Sequence, residues 1–177
     1  ADTTLEAIAR VAEVSPKTIS AVFGSKRAIL AAVVNPGAFT PYVQHLLDEL
    51  RATLEPVRQL SLVAQVTRQA YEPLVLELEL LRASGAIAPE LTELAQQIET
   101  RRRQNQARLI ASLHEQGTLR RDLSLEEATD ELWALTSYDL YRMFVGERHW
   151  PPDRYEAWLV RILVQNLLQP VDGQMDT

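Results

Sequence analysis

The sequence predicts an all-α protein, built as a small head of short helices followed by a larger helical body. Three observations carry this. Nearly every stretch between prolines and glycines places its apolar residues at helical spacing. No run alternates apolar with polar residues between hairpin turn pairs such as Asn-Gly, and prolines punctuate the helical stretches. The 177 residues are 46% hydrophobic, enough to bury a substantial core.

The head is read from its punctuation. A first short helix covers residues 5–12, where Thr3 and Glu6 have the spacing of a capping box. Glu13, Val14 and Ser15 interrupt it. Ser15 followed by Pro16 reads as an N-cap and a first helical position, because proline there loses no hydrogen bond and presets φ. The second helix then runs to about Phe23 and Gly24 closes it. Ser25 caps a third helix, which Ile29, Leu30, Val33 and Val34 carry to the break at Asn35, Pro36 and Gly37. That break divides a head, residues 1–36, from a body, residues 37–177.

In the body the periodicity predicts helices at roughly 38–53, 56–72, 74–84, 90–116, 124–147 and 153–169. Two starts look well specified: Ser124 with Glu127, and Asp153 with Glu156, each pair an acceptor followed three residues later by a glutamate. The segment after Pro170 is short, polar and expected to be loose.

Composition narrows the function. There is no cysteine, hence no disulfide framework, thiolate zinc site or cysteine nucleophile. No apolar run approaches the roughly 20 residues of a membrane-spanning helix, and the chain does not open on a signal sequence, so a soluble cytoplasmic protein is expected, with no membrane partner. The net charge of -6 is unevenly spread, with +1 over residues 1–35 and -7 over the remainder. A slightly basic head on an acidic body is compatible with DNA binding, since the field near the phosphates matters more than the sum over the chain.

Two short helices joined by three residues are the minimum of a helix-turn-helix. Ile8, Ala9, Val14, Ile19 and Phe23 can share one small core, which leaves Lys17, Thr18, Ser20 and Ala21 outward near the start of the second helix, where a recognition helix meets the major groove. Lys17 can reach phosphate or guanine, and Thr18 and Ser20 can bond base edges or phosphate. Ser25 and Lys26 open the next helix, whose positive end attracts a phosphate. Two exposed turns of an ordinary helical bundle would read much the same.

The full string TTLEAIARVAEVSPKTISAVFGSKRAIL is more specific. It resembles the DNA-binding signature of the tetracycline-repressor (TetR) family in a threonine, Ile8-Ala9, Ala12, Val14-Ser15, Thr18-Ile19, Phe23 and Ser25-Lys26, all at the family's spacing. The resemblance implies that Thr4 and Lys26 contact phosphates and that the helix holding Lys17, Thr18, Ser20 and Ala21 reads bases of a double-stranded operator, with Ser15 at its cap. The string departs from the family in three ways. Glu13 stands where a turn glycine is usual, Ser20 where a backbone-touching tyrosine is usual, and the family's first helix is absent before Ala1, so the sequence is expected to begin inside a longer protein.

The last predicted helix is apolar around most of its circumference: Tyr155, Trp158, Leu159, Ile162 and Leu163 on one broad side, Val160, Val164, Leu167 and Leu168 beyond, and a narrow polar stripe of Arg154, Arg161 and Gln165. Such a helix requires cover from two directions. A central helix of a monomeric bundle satisfies that, and so does a dimer. The resemblance implies a homodimer, in which the last two long helices pair across a twofold axis, with Leu132 and Leu135 of the preceding helix in the same interface. It also implies a small, mostly apolar effector among the middle helices, where Tyr71, Arg82, Trp133 and Tyr141 offer apolar surface with few polar groups. Plain core packing accounts for such residues equally well.

Catalysis has little footing. His45, His114 and His149 form no i, i+4 pair, and no nucleophile elbow, phosphate loop or dinucleotide glycine pattern occurs. No catalytic residue, metal site or cofactor is expected, and the Arg101–Arg103 run reads as a solvated helix face. The reading is a ligand-responsive DNA-binding regulator acting as a repressor, the alternative being a helical ligand-binding or protein-interaction module that does not bind DNA.

Overall fold

The computed structural model describes residues 6, 9–10, 15–17, 40–72 and 89–170. The chain divides into two compact units, residues 1–39 with 73–100 and residues 40–72 with 101–177. The helix expected over 74–84 and the tail beyond Pro170 lie outside the described residues.

In the first unit Glu6, Ala9 and Arg10 are helical; Ala9 is buried while Glu6 and Arg10 are exposed. Ser15 is outside a helix, and Pro16 and Lys17 are helical. This is the start that an N-cap followed by proline imposes.

The second unit is built from α1 (Pro41–Ala52), α2 (Pro56–Tyr71), the C-terminal half of α3 (Pro89–Glu115), α4 (Leu125–Leu135), α5 (Tyr138–Tyr141) with a π-helical turn (Arg142–Glu147), and α6 (Pro152–Leu167). Proline opens α1, α2 and α6 at their first turns. Thr40 caps α1 by accepting from Val43 N, and Glu55 caps α2 by accepting from the N–H groups of Val57 and Arg58. The predicted capping box at Ser124 and Glu127 forms in both directions: Glu127 N donates to Ser124 Oγ at 3.2 Å and Ser124 N to Glu127 Oε2 at 3.0 Å. The Ser124 N–H, and the Ser124 hydroxyl donating to the same oxygen at 2.7 Å, hold the Glu127 carboxyl below its ordinary pKa.

α2 packs against α1 and α6, and α6 also against α4. Tyr155, Leu159, Leu163 and Leu167 recur every four residues along α6 and are fully buried, so they form one stripe on a helix that packs on α2, which buries Leu60, Leu62 and Ala64, and on α4, which buries Ala128 and Leu132. The chain closes on itself at one end. Gly117 takes φ +69 and its N–H bonds to His114 O, which ends α3 in the left-handed conformation that glycine adopts without strain. Leu119 then bridges antiparallel to Leu168, with Arg120 N donating to Leu167 O and Gln169 N to Thr118 O, both at 2.9 Å.

Two expectations are corrected here. The continuous helix expected over 124–147 is broken at Thr136 and Ser137. Thr136 Oγ1 donates to Leu132 O at 2.7 Å, and Ser137 Oγ accepts from Leu140 N at 3.3 Å and caps α5, so side-chain oxygens compete with the helical ladder on both sides of the break. Asp153 is not a cap. α6 starts a residue earlier, at Pro152, and Asp153 and Glu156 turn instead to Arg68 of α2.

Candidate DNA-contacting head and candidate effector site

At the head, Ser15, Pro16 and Lys17 are all exposed, which leaves the lysine at this helix start accessible. Thr4, Thr18, Ser20, Ala21, Ser25 and Lys26 lie outside the described residues.

In the second unit the predicted effector residues separate. Tyr71 and Tyr141 come together with ring centroids 5.8 Å apart. Trp133 faces outward, 38% exposed, with the Arg102 guanidinium 5.2 Å from its ring. Arg82 is outside the described residues.

The Tyr71–Tyr141 pair belongs to a larger ring cluster. Tyr138 meets Tyr71 edge-on at 5.3 Å, Tyr141 meets Tyr155 at 4.9 Å, and Phe144 and Trp158 continue the chain from Tyr155. Tyr141 and Tyr155 are completely buried, and neither hydroxyl has a hydrogen-bond partner. Burial pushes the Tyr141 phenol up to about 12, with Glu72 adding to it, and raises Tyr155 likewise, so both stay protonated. The break at Thr136 is fixed beside this cluster. Tyr71 Oη donates to Thr136 O at 3.3 Å, while Arg102 Nη1 and Gln106 Nε2 donate to Thr136 Oγ1 at 2.9 and 2.8 Å. Arg102 is therefore anchored against α4, and Arg103, though exposed, also reaches that helix, its Nη2 donating to Asp130 Oδ1 at 2.7 Å, while Arg101 is exposed.

Sequence reasoning missed Arg68. Its Nε meets Glu72 at 2.8 Å, and its Nη1 meets Glu156 at 3.2 Å and Asp153. Burial alone would lower the pKa of this guanidinium, but hydrogen bonds to Glu72 and Glu156 and the nearby carboxylate charges raise it. Only the Arg68–Glu72 spacing of four residues could have pointed to it.

The residues expected at a dimer interface also separate. Leu132, Tyr155, Leu159 and Leu163 are fully buried within the chain itself, so they belong to its own core and have no surface to offer a partner. Leu135, Trp158 and Ile162 are only half-buried. Among the described residues, no group of His, Cys, Asp and Glu could hold a metal ion, and no helix is long and apolar enough to cross a membrane.

Residues 1–33 match the family model described as bacterial regulatory proteins, tetR family. The fold agrees. A protein from Saccharomonospora viridis, described as a transcriptional regulator and solved in complex with choline, is similar to this chain with a TM-score of 0.58 and 20% identity, over 94% of this chain and 88% of that one. No curated protein matches the chain.

Proposed function

We propose that the protein is a homodimeric repressor whose head, residues 1–36, binds an operator and whose body, residues 37–177, binds a small effector that releases it. The match of residues 1–33 to the tetR-family head carries this reading, and the exposed helix start at Ser15 to Lys17 supports it. Lys17, Thr18, Ser20 and Ala21 read bases from the recognition helix; Thr4, Ser15, Ser25 and Lys26 hold phosphates. The partner copy docks on the half-buried Leu135, Trp158 and Ile162.

The effector enters the second unit near Tyr71 and Tyr141. Release requires reciprocal coupling: an effector that weakens DNA binding 100-fold binds the DNA complex 100-fold less tightly, a coupling of roughly 2.7 kcal/mol. The Saccharomonospora relative, which was solved with choline, is consistent with a small ligand in this fold.

Fluorescence anisotropy with duplex DNA from upstream of the protein's own gene tests the proposal. Tight, salt-sensitive binding to one near-palindromic site is expected, because two heads displace several counterions. Lys17→Ala should change the preference between sequences, whereas Lys26→Ala should weaken all sequences alike. Binding no tighter than to scrambled duplex would overturn the reading.

A further inference from the structure

At the end of the second unit where the chain closes on itself lies a cavity that the effector reading does not use. It measures about 270 Å³, is open to solvent, and sits where the chain leaves α3 and runs beside the end of α6. At ~30 Å³ per water this is room for about nine waters, or for a molecule with a similar number of non-hydrogen atoms. Tyr155, which packs on Tyr141, is about 18 Å along α6 from Leu167 at ~1.5 Å per residue, so the cavity stands apart from the tyrosine cluster.

A hollow alone names no ligand, but the polar groups around this one are unevenly used. A helix C-terminus ordinarily presents carbonyl oxygens, which repel an anion. At the end of α3 they are satisfied within the chain. The N–H groups of Gln116, Gly117 and Thr118 donate to Ser112 O, His114 O and Leu113 O at 3.0, 2.8 and 3.0 Å. Gln169 Nε2 donates to Gly117 O at 2.8 Å and to Leu119 O at 3.0 Å, which uses both of its hydrogens and leaves its own oxygen as a neutral acceptor. Arg120 is also engaged. Its Nε and Nη2 donate to the two Asp122 carboxylate oxygens at 3.0 and 2.5 Å, so those charges answer each other. Arg121 and His114 remain. Both are exposed and line the cavity, and among the described residues neither side chain has a hydrogen bond or ion pair. No carboxylate lines it.

That imbalance selects a ligand by charge. A cation would meet the Arg121 guanidinium with no carboxylate to hold it. A carboxylate matches the guanidinium fork with two parallel N–H···O bonds and accepts a further one from the His114 ring N–H. Leu119 and Leu123 line the same cavity, so the molecule that fits carries a short apolar body behind its charge. We propose that this cavity binds a small organic carboxylate, its charge held by Arg121 and His114 and its body by Leu119 and Leu123. The site is additional to the effector reading and does not depend on it.

Amide NMR spectra of the whole chain, titrated with benzoate and with its uncharged counterpart benzamide, test the assignment. Benzoate is expected to shift amides of residues 114–123 and 166–169 to saturation and to bind at least about tenfold tighter than benzamide, a difference of ~1.4 kcal/mol. Arg121→Gln, at an exposed position, should erase that preference and leave benzamide binding unchanged. Leu123→Ala should weaken both probes alike, and inorganic phosphate, which has charge without an apolar body, should bind more weakly than benzoate. Equal binding of benzoate and benzamide, shifts centred elsewhere, a preference that survives Arg121→Gln, or no saturation by benzoate below about 10 mM would overturn the site. Phosphate bound as tightly as benzoate, or benzoate binding untouched by Leu123→Ala, would overturn the apolar half of the assignment. Operator binding enters none of these measurements, so their failure leaves the repressor reading to its own test.

Discussion

Tyr141 and Tyr155 pack edge to face, with ring centroids 4.9 Å apart and an interplanar angle of 82°, and both hydroxyls are buried without a partner. The ring contact and the hydroxyls pull stability in opposite directions. Edge-to-face packing of buried rings contributes about 0.5–1.5 kcal/mol beyond their area, whereas each unpaired hydroxyl costs. Tyr155→Phe keeps the ring and removes the cost, so denaturant melts should show unchanged or higher stability. Tyr155→Ala removes the ring as well and should cost about 3–5 kcal/mol. A loss above about 1 kcal/mol for the phenylalanine variant would mean that the hydroxyl is bonded.

The same burial gives an alkaline limit. The Tyr141 phenol titrates at about 12 in the folded chain against an ordinary value of 10.0, so the folded state holds its proton more tightly than the unfolded state does. Its contribution is complete below pH 10.0 and is lost as the pH rises through about 12. Tyr155, raised in the same direction, adds to the effect. Denaturant melts repeated between pH 9 and 12 should show the double variant Tyr141→Phe/Tyr155→Phe losing less stability than the unmodified chain over this window. An equal loss in both would place the alkaline sensitivity elsewhere.

How much of this was legible in the sequence depended on how far apart the partners lie. The capping box at Ser124 and Glu127 is a three-residue pattern and formed as read. Ser15 and Pro16 likewise mark a helix start by local chemistry alone. The break at Thr136 was hidden because apolar spacing continues across it, while the groups that hold it, Tyr71, Arg102 and Gln106, come from α2 and α3. Asp153 and Glu156 looked like a cap for the same reason: their partner, Arg68, lies more than 80 residues away. On α6, periodicity showed a helix apolar nearly all round. It could not say which of those side chains the chain covers for itself, and so it placed Tyr155, Leu159 and Leu163 on a partner surface when they are core.

The Thr136 hydroxyl ties α3 to the end of α4. It donates to Leu132 O and accepts from Arg102 and Gln106, all within a site that is 3% exposed. Thr136→Val keeps the shape and removes the oxygen, leaving the amide of Gln106 and the guanidinium of Arg102 each short of an acceptor. A cost of about 1–3 kcal/mol is expected in denaturant melts, since lost hydrogen bonds to buried groups count for more than surface ones. Thr136→Ser retains the oxygen and should recover most of it. If valine and serine variants melt alike, the hydroxyl is not what holds the break.

The half-buried face of α6 separates dimerisation from folding. Leu163 is fully buried within the chain, while Ile162, its neighbour in sequence, is half-buried and lies beside apolar surface from Trp158. If the partner copy covers Ile162, Ile162→Asp places an unpaired carboxylate in an apolar interface, which costs several kcal/mol of association but little in a lone subunit, where the side chain reaches water. Leu163→Ala does the reverse, emptying the subunit core at a cost of about 2–5 kcal/mol while leaving the interface side chains in place. Light scattering at micromolar concentration should find a dimer for the unmodified chain, a folded monomer for Ile162→Asp, and a dimer with a lowered melting temperature for Leu163→Ala. DNA affinity should fall steeply for the aspartate variant alone, since a single head loses the second half-site. A monomeric unmodified chain, or an Ile162→Asp variant that stays dimeric, would remove this face from the interface.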